Sequence, residues 1–421
     1  MTRTAWKIMF VLLGVGWAGS ALAAESVPGP DTPRTLEEYL RAARAANRGL
    51  QAATLRADAA RERVGAVAPL PDPRLMYGYY VSPDMLEGRQ ELSLTQEFPF
   101  PGKRGLRREV ARRDAFAESH NARSTALDID YEVKSYFYQY VGLSETARVL
   151  DTEADLLRRM RDVTQVRYSS GTSEQQDVLK IELSLSRLAD EETINRRDLA
   201  STRARLNELI GRAAGDSLPV PEWKTPDATT IDAIASPDSA LARRPDVAIA
   251  REGIARADAS KRLAKREYWP DLMLGVDYEF GGKSDDMIPW MSDDWWQLQA
   301  GIGLPIWIGS RRAMSREADA MRRSAAYELE AATLRAGREV EEATARARAA
   351  RERYDRFAHT ILPQAEAAFA SSEAGYRSGR VDFIDYLDSE RMLLDMRKEF
   401  AMVIADLGMQ MAALERAVAS R

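Results

Sequence analysis

Three aspartates near the carboxyl-terminal end of the chain have a spacing that could attract a cation. Asp382, Asp385 and Asp388 follow one another at intervals of three residues, which places their carboxylates near one face of a helix. Carboxylates this close together attract cations. In isolation, however, an acidic stripe is most often the solvated face of a helix, and the spacing alone favours that interpretation.

The sequence lacks the residue constellations that carry catalysis. It contains no cysteine, which excludes disulfides and thiolate metal sites, and its two histidines, His120 and His359, are scattered in helical sequence. No Gly-x-Ser-x-Gly or His-Glu-x-x-His motif occurs. We therefore predict no catalytic residue, no metal site and no cofactor. The protein is predicted not to be an enzyme, and an envelope hydrolase is the enzyme class considered and rejected.

The amino terminus predicts export from the cytoplasm. Arg3 and Lys7 precede the apolar stretch Ile8–Trp17, and Ala21-Leu22-Ala23, with a small residue on each side of Leu22, provides a cleavage site. The 60 basic and 65 acidic residues nearly balance, and nothing in their distribution indicates a nucleic-acid partner. A signal peptide over residues 1–23 is therefore predicted.

The remainder of the chain consists of two copies of one unit. Pro71–Tyr79 resembles Pro270–Tyr278, and Tyr168–Gly171 resembles Tyr376–Gly379, in the same order and with similar spacing. Each copy is predicted to contain a helix, two strands, a very long helix, a turn and a long helix. The predicted divisions are a signal peptide 1–23, an N-terminal segment 24–35, a first repeat 36–211 with a β-hairpin 74–98 and a helical hairpin 103–211, a linker 212–236, and a second repeat 237–421 with a β-hairpin 272–305 and a helical hairpin 310–420.

The predicted helices are too long for a compact globule. The segment Lys103–Ser169 contains no proline, and a helix of that length would extend for about 100 Å. Its return partner, 173–210, carries leucine and isoleucine at alternating intervals of three and four residues, the spacing of a coiled coil. An elongated helical hairpin is predicted.

The predicted strands alternate between apolar and polar residues. In the second copy Leu272, Leu274 and Val276 face away from Met273 and Gly275. A soluble sandwich with one buried face would alternate in the same way. Two isolated hairpins are too few for a sandwich core, and aromatic residues lie where a membrane interface requires them, which favours membrane strands. The predicted interface aromatics are Tyr77, Tyr79, Trp290, Trp295 and Trp296.

Four strands cannot close a membrane barrel, because the smallest such barrels need about eight. An open edge in lipid would leave backbone hydrogen-bonding groups without partners. The chain is therefore predicted to oligomerise through its strands. Two, three or four copies would give about 8, 12 or 16 strands, and this arithmetic does not choose among them.

The sequence resembles the outer-membrane efflux protein family, the TolC-like channels, over essentially the whole mature chain. The resemblance rests on the duplicated layout, on the Arg243–Val247 start of the second copy, and on two Tyr-x-x-Gly turns that are each followed by an aspartate. Pro71–Pro73 with Tyr77–Tyr80, and then Leu94–Pro99, look most like the heavy-metal resistance branch of that family.

The resemblance implies a mainly α fold with membrane β: a TolC-like trimeric β-barrel, with four strands per chain, continued by a long coiled-coil α-helical barrel. The implied partners are two further copies in a homotrimer, a periplasmic adaptor protein, an inner-membrane proton-driven transporter of the RND type, and outer-membrane lipid. The expected location is the outer membrane of a Gram-negative cell, with the helical tunnel in the periplasm. The expected function is a passive export duct of a tripartite efflux pump, for heavy-metal cations. Multidrug or organic-solute efflux, a type I secretion channel and a periplasmic coiled-coil structural protein remain the alternatives.

The resemblance also implies roles for specific residues. Asp385 and Asp388 match the positions that line the closed tunnel mouth in the family, and with Asp382 they form the expected pore constriction. Gly171 and Gly379 suit the tight turns at the hairpin tips, where turn geometry alone is the simpler explanation for glycine. The tip residues expected to dock the adaptor are Tyr168, Gly171, Thr172, Tyr376, Arg377 and Gly379.

Overall fold

The structure, a computed structural model, describes residues 32–82, 85–226, 231, 241–280 and 294–419, and Pro33–Arg421 form one structural unit. The predicted signal peptide, most of the N-terminal segment, part of the linker and Trp290 lie outside the described residues. The described helices are α1 (Leu36–Ala46), α2 (Arg48–Ala66), α3 (Lys103–Ser169), α4 (Gln175–Leu209), α5 (Pro245–Arg266), α6 (Ile308–Arg356), α7 (Leu362–Arg377) and α8 (Phe383–Ala417). The described strands are β1 (Arg74–Ser82), β2 (Met85–Phe98), β3 (Asp271–Phe280) and β4 (Trp295–Gly303).

The four strands form one antiparallel sheet in the order β1-β2-β3-β4. The two hairpins meet where β2 pairs with β3, in a register that runs from Gln90 opposite Phe280 to Phe98 opposite Leu272. The first and second copies therefore contribute adjacent halves of a continuous sheet. Strands β1 and β4 lie at its two edges within the described part of the chain.

The helices extend from one end of this sheet. Helix α3 begins at Lys103, ends at Ser169 and packs against α2, α4, α5 and α8. No described helix combines the length and apolarity needed to cross a membrane. Three clusters of buried apolar side chains hold the described helices together. One includes Tyr39, Phe137 and Leu206, and a second joins α6 to α8 through Val340 and Leu407. The third, nearer the hairpin tips, includes Leu157, Ile181, Leu188 and Leu387.

A π-helical turn interrupts the long helix of the second copy. Between α6 and α7, residues Phe357–Ile361 wind more loosely, and the Leu362 N–H donates to the Phe357 carbonyl. Pro363 follows directly, and it has no backbone N–H to donate to the preceding turn. The wider turn lets the chain continue past the proline without ending the helix. The first copy has no proline between Lys103 and Ser169, and its corresponding helix, α3, is unbroken.

A buried lysine fixes the sheet to the helices. The side chain of Lys103, at the first residue of α3, is only 2% exposed, and its Nζ lies 2.9 Å from Oδ1 of Asp271 and 3.2 Å from Oε2 of Glu267. The same ammonium donates to the Trp269 carbonyl at 3.0 Å, and the Phe100 N–H donates to Asp271 at 2.6 Å. The start of a helix in the first copy is thus joined to the start of a strand in the second.

Helices α3 and α8 approach so closely that two glycines are needed between them. A Cβ built on Gly142 of α3 would lie 2.7 Å from the Cβ of Ala405, and one built on Gly408 of α8 would overlap the ring of Tyr138 near its attachment to the backbone. That part of a tyrosine ring cannot move aside without a change of rotamer. Gly408 is therefore a packing requirement of the contact between the two copies.

We expect Gly408→Ala to destabilise the protein by about 1–3 kcal/mol, because overpacking outweighs the better helix propensity of alanine. The matched control is Gly105→Ala in α3, where a Cβ would meet no atom within 4 Å. That change should be neutral or stabilising by up to about 1 kcal/mol. Denaturant unfolding followed by circular dichroism measures both variants, and equal shifts would contradict the packing argument.

Candidate functional site

The register of the sheet sorts its side chains into one apolar and one polar face. Leu75 lies opposite Leu94, Leu94 opposite Val276, and Val276 opposite Leu298, so aliphatic side chains form a row across all four strands. Leu298 is 82% exposed, and the other residues of this row are also exposed. The opposite face of the sheet carries mainly polar side chains and glycine, among them Glu91, Ser93, Thr95, Glu97, Gly275, Asp277, Glu279, Gln297, Gln299, Gly301 and Gly303.

Aromatic residues concentrate at the end of the apolar face that is remote from the helices. Tyr77, Leu92, Tyr278 and Trp296 form one cross-strand row, and the rings of Tyr278 and Trp296 lie 4.7 Å apart between centroids. Tyr79 lies on the same face, two residues further along β1. Trp295 points to the polar face, where its Nε1 donates to Glu279 Oε2 at 3.0 Å. Trp290, predicted with these residues, lies outside the described part of the chain.

A second group of aromatics, which sequence reasoning missed, lies at the helix-proximal end of the sheet. Trp269 stacks on Phe100 with ring centroids 5.0 Å apart, and Trp307 is 76% exposed just beyond β4. Strand β3 has 10 residues and is therefore about 33 Å long, or roughly 25 Å in height when tilted by about 45°. The two aromatic groups thus border an apolar band whose height suits a bilayer. The sequence could have indicated this second group, because Trp269 lies just before β3 and Trp307 just after β4, at the strand ends that join the helices.

The two helical hairpins end in similar glycine turns. Gly171 has φ 74° and Gly379 has φ 70°, the left-handed conformation that glycine adopts without strain. The Thr172 N–H donates to the Arg167 carbonyl at 2.8 Å, and the Arg380 N–H donates to the Gly375 carbonyl at 2.9 Å. Both turns therefore close with the same backbone pattern. The predicted docking residues Tyr168, Gly171, Thr172, Arg377 and Gly379 are all exposed at these turns.

Tyr376 differs from the other predicted docking residues because it is half-buried and joins the two tips. The Arg167 guanidinium of α3 lies over its ring, 4.9 Å from the centroid, and the ring stacks on Tyr386 of α8 at 4.9 Å. Phe383 packs against it edge-on at 5.9 Å. The Arg167–Tyr376 contact is a cation–π interaction between the first and second copies. Sequence reasoning could not find it, because the partners are distant along the chain.

The three aspartates lie at the start of α8 and are exposed. Asp382 is the N-cap residue of α8, and Asp385 lies in the first turn, where the positive end of the helix dipole favours a carboxylate. Asp388 lies 3.6 Å from the guanidinium of Arg391 on the same helix. Within the described residues no group of three or more metal-ligating side chains is arranged to bind a metal ion. The aspartates therefore present negative charge outward, beside the second hairpin tip.

Comparison with known proteins identifies similar sequences along the chain. Residues 236–420 match the family described as outer membrane efflux protein. The chain is similar to the pyoverdine export outer membrane protein OpmQ of Pseudomonas putida, with 26% identity over 316 residues, or 74% of this chain and 66% of that protein. It is also similar to the cobalt-zinc-cadmium resistance protein CzcC of Cupriavidus metallidurans, with 23% identity over 396 residues, or 91% of this chain and 90% of that protein. The resemblance to outer-membrane efflux proteins is thus confirmed.

The fold is also that of solved outer-membrane channels. The outer-membrane channel OprN superposes with a TM-score of 0.76 at 20% identity, covering 93% of this chain and 94% of that chain. This likeness confirms the predicted fold class, a mainly helical chain with four strands.

We expect Arg167→Gln to loosen the contact between the hairpin tips. A cation–π contact at an exposed site contributes about 0.5–1 kcal/mol, so backbone amides around 166–174 and 376–385 should exchange hydrogen about two- to fivefold faster. Hydrogen–deuterium exchange followed by mass spectrometry measures this directly. The matched control is Arg161→Gln, which removes an arginine of the same helix that pairs with the adjacent Asp162. Equal exchange in wild type and Arg167→Gln would contradict a stabilising role for the contact.

Proposed function

We propose that this chain, which resembles outer membrane efflux proteins, is one subunit of a passive export channel in the outer membrane. The channel is a homotrimer with twelve strands, and its helical hairpins extend into the periplasm. A single observation carries the proposal: one face of the four-stranded sheet is apolar and exposed across every strand, while the edges β1 and β4 lack partners within the described residues.

The exposed apolar face favours lipid over water as the surroundings of the sheet. Leucine, valine and isoleucine side chains that line one whole face would be unfavourable in water, and no layer of the described structure covers them. Lipid in turn requires that every backbone hydrogen bond be satisfied, so edge β1 of one copy pairs with edge β4 of the next. This argument disfavours the periplasmic structural protein, which would have no use for such a face.

The helices are also suited to a ring. Contacts join α2 to α3, α3 to α5, and α5 to α6 in a row, with α2 and α6 as the outer members. Both outer helices carry exposed apolar side chains, namely Leu55 on α2 and Tyr327 and Leu334 on α6. A neighbouring copy that pairs strand edges would bring these helices together and cover those side chains. Three copies follow from the family resemblance rather than from this packing.

The proposed route of export ends at the hairpin tips in the periplasm. The exposed glycine turns there dock a periplasmic adaptor, which connects the channel to an inner-membrane RND transporter that supplies the energy. Asp385 and Asp388, with Asp382 beside them, line the mouth in three copies and form stacked carboxylate rings that attract cations. The nearby Arg391 guanidinium partly neutralises the negative charge of Asp388, so the charge of Asp385 is the less compensated of the two.

Heavy-metal cations are the solutes that we propose for this channel. The similarity to a cobalt-zinc-cadmium resistance protein over nearly the whole chain supports this assignment, as does the acidic mouth. The similarity to a pyoverdine export protein favours a second candidate, the export of organic solutes. A metal-sensitive phenotype of a deletion strain, restored by the wild-type chain, supports the first candidate, and sensitivity to organic compounds alone supports the second.

We expect Leu298→Arg to prevent assembly in the outer membrane. An arginine on the lipid face near the bilayer midplane costs about 2–4 kcal/mol per chain, and each ring would contain several. The matched control is Gln297→Arg, the adjacent residue on the polar face of β4, which should insert normally. Fractionation and a heat-modifiable oligomer on a gel provide the measurement. A Leu298→Arg protein that assembles as well as the control would contradict the membrane orientation of this face.

Removal of the proposed carboxylate rings should weaken block by divalent cations. With Asp385→Asn and Asp388→Asn together, the cation concentration for half block in single-channel recordings should rise about tenfold, which corresponds to ~1.4 kcal/mol of lost attraction. Asp151→Asn with Asp190→Asn removes the same charge from exposed positions elsewhere on the hairpins and serves as the control. Unchanged block and conductance in the first variant would refute the assignment of the constriction.

A further inference from the structure

Two glutamates are buried against each other where the two helical hairpins meet. Glu153 of α3 is 3% exposed and Glu390 of α8 is 1% exposed, and their carboxyl groups share a hydrogen bond. Each also keeps one oxygen, Oε1, without a hydrogen-bond partner. Two carboxyl groups can share a hydrogen bond only when one of them carries a proton.

The surroundings of the pair disfavour ionisation. Leu157 of α3, Leu188 of α4 and Leu394 of α8 belong to the apolar cluster around it. Burial, together with the hydrogen bond and the negative charge of Glu153, raises the pKa of the Glu390 carboxyl well above its ordinary value. A second negative charge at this place would lie in largely apolar surroundings, and the Arg391 guanidinium would offset only part of that cost.

The nearby cations are already engaged with other groups. Arg391 of α8 donates to the Ser184 hydroxyl of α4 at 2.9 Å and also lies near Asp388. Lys398 of α8 pairs with Glu191 of α4 at 2.7 Å and with Asp395 at 3.1 Å.

The other charged groups near the pair lie in two places. One set faces a cavity beside Glu390, and the other lies near Tyr386, one helical turn closer to the tip. Arg187 and Glu191 of α4, with Arg391 and Asp395 of α8, face a cavity of about 170 Å³ beside Glu390, and the α3 residue on that cavity is Leu157. Helix α7 contributes Glu373 and Arg377, whose charges affect the pKa of Tyr386, one turn nearer the tip than Glu390. Among these groups Glu153 shares the hydrogen bond with Glu390, while Arg391 and Asp395 act on it only through their charges.

The position of Glu390 connects this pair to the pore mouth. Glu390 follows Asp388 by two residues, so the two side chains leave α8 on nearly opposite sides. Asp388 is exposed on one side, while Glu390 is buried against α3 on the other. We infer that Glu153 and Glu390 form a buried proton-binding site, a latch that holds the second hairpin against the first and so keeps the aspartate stripe in the position that it has in this structure. This inference rests on the proposed function for its effect on conduction, but not for the proton site itself.

The sign of the pH dependence follows from the raised affinity of the packed state for a proton. An exposed glutamate releases its proton near pH 4.3, whereas the raised pKa of Glu390 lets the packed state keep its proton to a higher pH. The preference for packed hairpins is therefore complete below about pH 4.3 and is lost as the pH rises through the raised pKa of Glu390. Acidification of the periplasm closes the latch, and alkaline conditions release it.

Distances between the hairpin tips test the latch without reference to conduction. Because the chain has no cysteine, Gln176→Cys and Arg380→Cys provide two unique sites for spin labels, one at each tip. In full-length protein in lipid vesicles, the distance between the labels should widen and its distribution broaden as the pH rises. Glu390→Gln, which is isosteric with the protonated acid, should abolish this dependence, and Glu153→Gln should reduce it. The control Glu182→Gln, at an exposed position of α4, should respond as the wild type does.

Infrared and conductance measurements complete the test. The carbonyl band of a protonated carboxylic acid at neutral pH should disappear in the double variant Glu153→Gln, Glu390→Gln. Persistence of this band, or a pH response of the tips in Glu390→Gln equal to that of wild type, would overturn the inference. A protein whose tips respond to pH but which conducts no ions supports the latch and contradicts the proposed channel. A conducting protein whose tips ignore pH contradicts the latch alone.

Discussion

The hydrogen bonds of the two outer strands are the constraint on which the rest of the structure depends. Strands β1 and β4 each have a partner on one side only within the described residues. In hydrocarbon each unpaired N–H or carbonyl costs several kcal/mol, while in water the apolar face of the sheet is the unfavourable element. Neither medium suits the single chain, so assembly and membrane insertion are proposed as one event. In the proposed assembly, the ring of helices then follows from the ring of strands.

Contacts between the two copies occur along the whole length of the chain's fold, from the sheet to the hairpin tips. Lys103 links the first residue of α3 to the first residue of β3, and β2 pairs with β3 along its length. At the other end Arg167 reaches across to Tyr376, and between these points Gly142 and Gly408 bring α3 and α8 into close contact. The two copies are therefore held together at the sheet, along the middle of the helices and at the tips.

The sequence predicts the features that depend on local pattern. Alternation with period two identifies the apolar face, and absence of proline from Lys103 to Ser169 predicts a single helix, which α3 is. Trp269 and Trp307 were not predicted as interface aromatics, although they lie just before β3 and just after β4 in the sequence. The Glu153–Glu390 pair and the Arg167–Tyr376 contact could not be predicted, since each depends on which helix faces are brought together. The roles of Asp382, Asp385 and Asp388 stay predictions, because in a single chain these residues are simply exposed.

The π-helical turn at Phe357–Ile361 makes the two copies mechanically unequal. A loosely wound turn resists bending less than the α-helix on either side, so the second copy has a pivot that α3 lacks. Helix α7, with 16 residues, is a lever about 24 Å long below that pivot. A rotation of about 10° there would displace the tip by roughly 4 Å, whereas α3 of the first copy contains no such turn. An aperture lined by both copies would then widen through movement of the second helical hairpin alone.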